Sequence, residues 1–96
     1  MATYFLAEIE RIIDRETYRR YVDAARPIVE QYGGTYVLRS DRVSAVSGGP
    51  SPERVLLIRF PDKQALTACF SSPEYTRIAP LRERSTESRA FVIEEE

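Results

Sequence analysis

The sequence predicts an α+β fold with elements in the order β-α-β-β-α-β, and three observations predict it. Four runs of aromatic and aliphatic residues, bounded by Gly, Pro, Ser or Asp, have strand character. Between the first and second, and again between the third and fourth, apolar residues recur at helical spacing. The glycine pairs and most prolines fall where these segments meet.

Thr3 to Ile12 reads as the first strand, free of Gly and Pro. Asp14 is the expected N-cap of the first helix, with Glu16 in the first turn, where the helix dipole favours an acid. Tyr18, Tyr21, Val22, Ala25, Val29 and Tyr32 then form a stripe spaced by three and four residues, one buried helix face. Pro27 lies inside it and is expected to kink the helix or loosen the preceding turn. Gly33-Gly34 ends it.

Thr35 to Val46 is expected as the second strand, with a bulge or bend at Ser40-Asp41-Arg42. Ser47 to Pro52 is a loop, and Val55 to Phe60 is the third strand. The second helical region is split. Lys63 to Phe70 is capped by Asp62 and turns Ala65, Leu66, Cys69 and Phe70 inward. Ser72-Pro73-Glu74 then opens a helix to about Arg84, perturbed at Pro80. Arg89 to Glu94 is the last strand, followed by an acidic tail. This is the split βαβ, ferredoxin-like pattern in one domain over residues 1–96, an antiparallel sheet with its helices on one face.

Such a sheet should alternate apolar and polar residues. These strands do not. Val55-Leu56-Leu57-Ile58, Ala90-Phe91-Val92-Ile93 and Tyr4-Phe5-Leu6-Ala7 are apolar at both parities, so both faces need cover. A second copy of the chain is the simplest cover for the face the helices leave open, which predicts a homodimer through sheet faces.

Composition narrows the function. With 96 residues, 43% hydrophobic and 30% charged, the chain is an ordinary globular domain. A formal charge of -1 gives no attraction for nucleic acid or anionic membranes. The third strand also lacks the Gly-aromatic signature of RNA-binding sheets. No apolar run is long enough to span a bilayer, and the N-terminus has no signal-peptide pattern. The lone Cys69 fits a reducing compartment, so a cytoplasmic location is expected. There is no histidine, which removes the commonest general base and metal ligand. No metal and no cofactor are expected.

Several segments, taken together, resemble a known family. They are Tyr32-Gly33-Gly34 with Tyr36-Val37-Leu38-Arg39, Arg54 to Pro61, Ser71-Ser72-Pro73-Glu74-Tyr75, and Leu81-Arg82. In this order and spacing they resemble the domain of unknown function 1330 family. The resemblance implies a dimeric α+β barrel, in which two ferredoxin-like subunits pack sheet against sheet, and it implies no established activity. The chain departs from the family in the loop after the second strand, where Ser47-Gly48-Gly49-Pro50 replaces an acidic or aromatic position, and it has no Trp.

The candidate ligand-binding residues are Arg39, Arg82, Tyr75, Glu8 and Arg59. Arginines on strands need partners if buried, and a guanidinium holds a carboxylate or enolate through paired hydrogen bonds. Arg39 and Arg82 also match the family pattern. Glu8, Arg39, Arg59 and Arg82 are expected around one cleft, with Tyr75 as a phenol one turn into a capped helix. The opposing reading makes the strand charges solvated or structural ion pairs. Tyr18, Tyr21 and Tyr32 fall on the helix stripe and read as core, with hydroxyls at the rim. Cys69 reads as a small buried hydrophobe. Two function classes follow. One, implied by the resemblance to barrels that include monooxygenases and isomerases, is a metal-free enzyme of that type acting on an organic acid or aromatic metabolite. The other is a non-catalytic ligand-binding or assembly module.

Overall fold

Every expected strand and helix forms in the computed structural model, which describes residues 1–96. In order they are β1 (Thr3–Ile12), α1 (Arg15–Gln31), β2 (Thr35–Ser40), β3 (Arg54–Phe60), α2 (Lys63–Ser71), α3 (Pro73–Ser85) and β4 (Thr86–Glu94). The strands make one antiparallel sheet in the order β2-β3-β1-β4, the ferredoxin-like arrangement. The molecule is a slab of 33 × 33 × 16 Å. Stacked layers lie about 10 Å apart, so the short dimension holds one sheet and one helix layer. No helix is long and apolar enough to cross a membrane.

Local chemistry sets the helix ends. The Asp14 carboxylate accepts the backbone N–H of Thr17 at 3.1 Å, and Asp62 accepts that of Ala65 at 2.8 Å. Ser72 separates α2 from α3. Its hydroxyl donates to the Cys69 carbonyl at 2.7 Å and accepts the Tyr75 N–H at 3.1 Å, so one side chain closes one helix and opens the next. Gly33 leaves α1 at φ 90°. Gly34 lets the chain pass close to the core, where a Cβ would stand 2.5 Å from Val29 Cγ1 and 3.0 Å from Phe60.

The register divides the sheet into two surfaces. Phe5, Ala7 and Ile9 of β1 and Leu56, Ile58 and Phe60 of β3 face the helices, over a core of Val29, Ile58, Phe60, Leu66 and Cys69. Tyr4, Leu6, Leu57, Val55, Phe91 and Ile93 share the other surface with Glu8, Arg59 and Arg89. There Leu38, Phe91 and Ile93 are 46%, 42% and 43% exposed.

Several features differ from expectation. β2 stops at Ser40 rather than Val46, because β3 begins at Arg54 and Ser40 already pairs with Val55. Beyond it, serine hydroxyls take the backbone donors instead of a ladder: Arg42 N–H bonds Ser40 and Ala45 N–H bonds Ser51. The β2 irregularity lies between Tyr36 and Leu38, not at Ser40-Asp41-Arg42. β4 begins at Thr86 rather than Arg89, since β1 continues past an irregularity between Ile9 and Arg11 and still pairs Ile12 with Thr86. Pro27 and Pro80 do not interrupt their helices. Both prolines are exposed, as are Asp23 and Thr76, whose carbonyls lose an intrahelical donor, so water satisfies them.

Candidate functional site

Between α1 and the sheet lies a cleft of about 110 Å³, lined by 15 residues, 12 of them hydrophobic. Its lining includes the short side chains of Ala7 on β1 and Ala25 on α1. Phe5, Leu56, Ile58 and Phe70 line the sheet side and inner end, and Tyr18, Tyr21, Val22 and Val29 line the helix side. Phe70 stacks on Phe5 at 4.4 Å between ring centres and meets Tyr75 edge-on at 4.8 Å.

The cleft adjoins a more polar vestibule of about 290 Å³, sharing Tyr18, Val22, Arg39 and Arg54 with it. Arg15, Arg19 and Asp23 complete the rim with Ile12. Arg54, at 12% side-chain exposure, is held by Asp41 through bonds of 2.6 and 3.0 Å and lies 5.4 Å over the Tyr18 ring. Asp41 consequently ionises below its usual range, mainly through the Arg54 hydrogen bond. Glu53 accepts the Ile12 N–H at 2.9 Å and pairs with Arg15, and these two contacts, the N–H first, lower its pKa as well. Arg39 and Arg19 take no part in any ion pair. The rim therefore carries four guanidiniums against the carboxylates of Asp23, Asp41 and Glu53, one positive charge in surplus.

The irregularity at Val37 is what delivers Arg39. In an unbroken strand Tyr36 and Leu38 would share a face and Arg39 the opposite one. Here Tyr36 pairs with Ile58, Leu38 with Leu57 and Arg39 with Leu56. Arg39 thus joins Tyr36 on the cleft side, and Leu38 turns to the outer surface.

Behind the cleft, Arg82 Nη1 donates to the Tyr75 hydroxyl at 3.0 Å, and the Tyr75 and Tyr21 hydroxyls lie 2.7 Å apart. Burial raises the pKa of both phenols. Burial likewise pushes Tyr36 up to about 12 and the Cys69 thiol up to about 11, leaving that sulfur unreactive. No three His, Cys, Asp or Glu side chains converge as metal ligands.

The five residues singled out from the sequence do not gather at one place. Arg39 stands in the cleft wall, and Arg82 and Tyr75 reach it through Tyr21. Glu8 and Arg59 lie on the opposite sheet surface, separated from the cleft by the strands themselves. There Glu8 accepts from Arg89 at 3.0 Å. Sequence reading missed Arg54, Arg19, Arg15 and Arg26; Arg26 lies 4.9 Å over the Tyr36 ring. For Arg54 a signal existed, a cation at the junction of a long loop with an apolar strand.

The sequence profile of the domain of unknown function DUF1330 matches residues 2–95. The chain belongs to this family. No curated protein matches it significantly. Among solved structures it is similar to RPA0582, a protein of unknown function from Rhodopseudomonas palustris. That match has a TM-score of 0.83 and 18% identity over 96% of this chain and 80% of the other. It is also similar to a dimeric ferredoxin-like protein of unknown function from Jannaschia sp. CCS1. Here the TM-score is 0.71 and the identity 18%, over 99% of this chain and 100% of the other. A third is SnoaB, a cofactor-independent oxygenase from Streptomyces nogalater, with a TM-score of 0.70 and 9% identity over 99% and 93%. At these identities the family and its relatives share the fold.

Proposed function

We propose that the protein is a homodimer, joined through the outer sheet surfaces, in which each subunit binds a small aromatic or branched carboxylic acid in the cleft between α1 and the sheet. The observation that carries the ligand reading is the continuity of an apolar chamber with a rim holding uncommitted guanidiniums, Arg39 foremost. An apolar body gains from leaving water in the chamber while its carboxylate stays at the charged, wetter mouth. The surplus of one positive charge matches a monoanion. The exposed Leu38, Phe91 and Ile93, and the dimeric state of the Jannaschia relative, support the assembly.

The test is calorimetric titration with phenylbutyrate. Binding to the wild-type chain and a Kd raised about tenfold or more in Arg39→Ala, with the dimer intact by sedimentation, is the expected result. An affinity indifferent to Arg39 would remove this reading.

A second reading is an enzyme acting on the same class of molecule without a cofactor. It is favoured by the phenol pair in and behind the cleft wall and by the description of SnoaB. Oxygen uptake by the purified protein in the presence of polyphenolic and quinol substrates tests it.

A further inference from the structure

Proton counting in the Arg82–Tyr75–Tyr21 chain, taken with the exposure of each phenol, favours one direction for its hydrogen bonds. A guanidinium only donates, so Arg82 occupies a lone pair of the Tyr75 oxygen and leaves Tyr75 its own proton to place. Between Tyr75 and Tyr21, 2.7 Å apart, there are two arrangements. If Tyr21 donated, the Tyr75 O–H would need another acceptor. Tyr75 is 4% exposed, and its hydroxyl bonds only Arg82 and Tyr21. A buried hydroxyl without a partner is costly. If Tyr75 donates, the proton left without a protein acceptor is instead that of Tyr21, which is only partly buried and lines the cleft.

We propose that Tyr21 presents its phenolic proton to a carbonyl or enolate oxygen of the molecule bound in the cleft, with Tyr75 and Arg82 positioning and polarising it. This rests on the cleft being a ligand site and specifies the ligand as a keto or enol acid, with its carboxylate at Arg39 and its second oxygen at Tyr21. The arrangement also carries a proton. When Tyr21 gives its proton to an enolate carbon or oxygen, the Tyr75 proton passes to the Tyr21 oxygen. The negative charge then rests on the Tyr75 oxygen beside the Arg82 guanidinium. No oxidant or metal enters this step, which moves two protons and one charge.

A matched pair of probes tests it: β-benzoylpropionate and phenylbutyrate, which differ by a carbonyl in place of a methylene. The wild-type protein should prefer the ketone by about tenfold. The infrared carbonyl stretch of the bound ketone should fall relative to the free acid. Tyr21→Phe should abolish both effects, the ratio of ketone to phenylbutyrate affinity falling to about one whatever the change in either affinity alone. Tyr75→Phe and Arg82→Gln should shrink the preference and return the stretch part-way, a change that a purely structural role would not produce. In the unliganded protein, hydroxyl exchange read from the ζ-carbon resonances in half-deuterated solvent should be slow at Tyr75 and fast at Tyr21. Ligand binding with an undiminished ketone preference in Tyr21→Phe, or slow exchange at Tyr21 with fast exchange at Tyr75, would overturn the Tyr21 assignment alone. Failure of both probes to bind the wild-type chain would overturn the cleft reading and this proposal with it.

Discussion

Two ends of the same helix–sheet layer differ in how completely they fill. Beneath the C-terminal half of α1, Val29, Ile58, Phe60, Leu66 and Cys69 close into a core in which Phe60 and Cys69 are fully buried. Two helices converge there, and Gly34 admits the backbone close to Val29 and Phe60. Toward the N-terminal half only the smaller cluster of Ile9, Ile12 and Tyr18 is buried, and the cleft is lined by residues of both clusters with Ala7 and Ala25 among them. Sheet and helix are continuous through both ends. The contrast teaches that side-chain size decides where this fold is solid and where it is hollow.

Damage to the solid end should have the largest effect. Phe60→Ala should cost about 3–5 kcal/mol in denaturant unfolding, since the void cannot collapse against Gly34 and Val29. Less than about 2 kcal/mol would mean that this end is as loose as the cleft. Next in size is the outer surface. Phe91→Glu should convert the proposed dimer to monomer in sedimentation and leave the far-ultraviolet circular dichroism unchanged. A dimer that survives would place the interface elsewhere.

The rim should respond to acid. Arg54 and the Ile12 N–H hold Asp41 and Glu53 below their ordinary values of 3.8 and 4.5. A carboxylate with a depressed folded-state pKa stabilises fully above its unfolded value and loses that contribution as pH falls through the folded one. Stability should therefore be level above pH 5 and decline below about 4.5, and Glu53→Gln should flatten the decline. An acid limb identical in the variant would assign it to other carboxylates. The smallest effect belongs to the hollow end. Ala7→Val should change stability by less than about 1 kcal/mol, because it fills space rather than forcing neighbours apart, yet it should weaken phenylbutyrate binding. A loss above about 1 kcal/mol would show that the cleft wall is as tightly packed as the core.

Most of the fold was legible in the sequence because its signals are local. Asp14, Asp62 and Ser72 cap the helices they appear to cap, and Gly33 turns where expected. Apolar residues at both strand parities announced a second greasy surface. What stayed hidden depends on pairing. The length of β2 is set by where β3 begins, and neither Val37 nor its neighbours carry a composition that marks an irregularity. Without it, the face occupied by Arg39 could not be assigned, and only the pairing of β1 with β3 separates Glu8 and Arg59 from the cleft residues. The aromatic stripe of α1 read as core because it is core, apart from the gap left by two alanines in different elements.

The displaced residue in β2 also bears on how the protein avoids polymerising. β2 and β4 are the free rims of the sheet, where another chain could add by backbone pairing. At one rim Val37 breaks the even row of amide donors, and the strand gives way to loop after Ser40. The other runs out into Glu94, Glu95 and Glu96, which repel their counterparts on a neighbouring chain. In the proposed homodimer, copies meet flat side to flat side, and that meeting uses up the surface that made it. Growth into a continuous ribbon is thereby made harder at both rims.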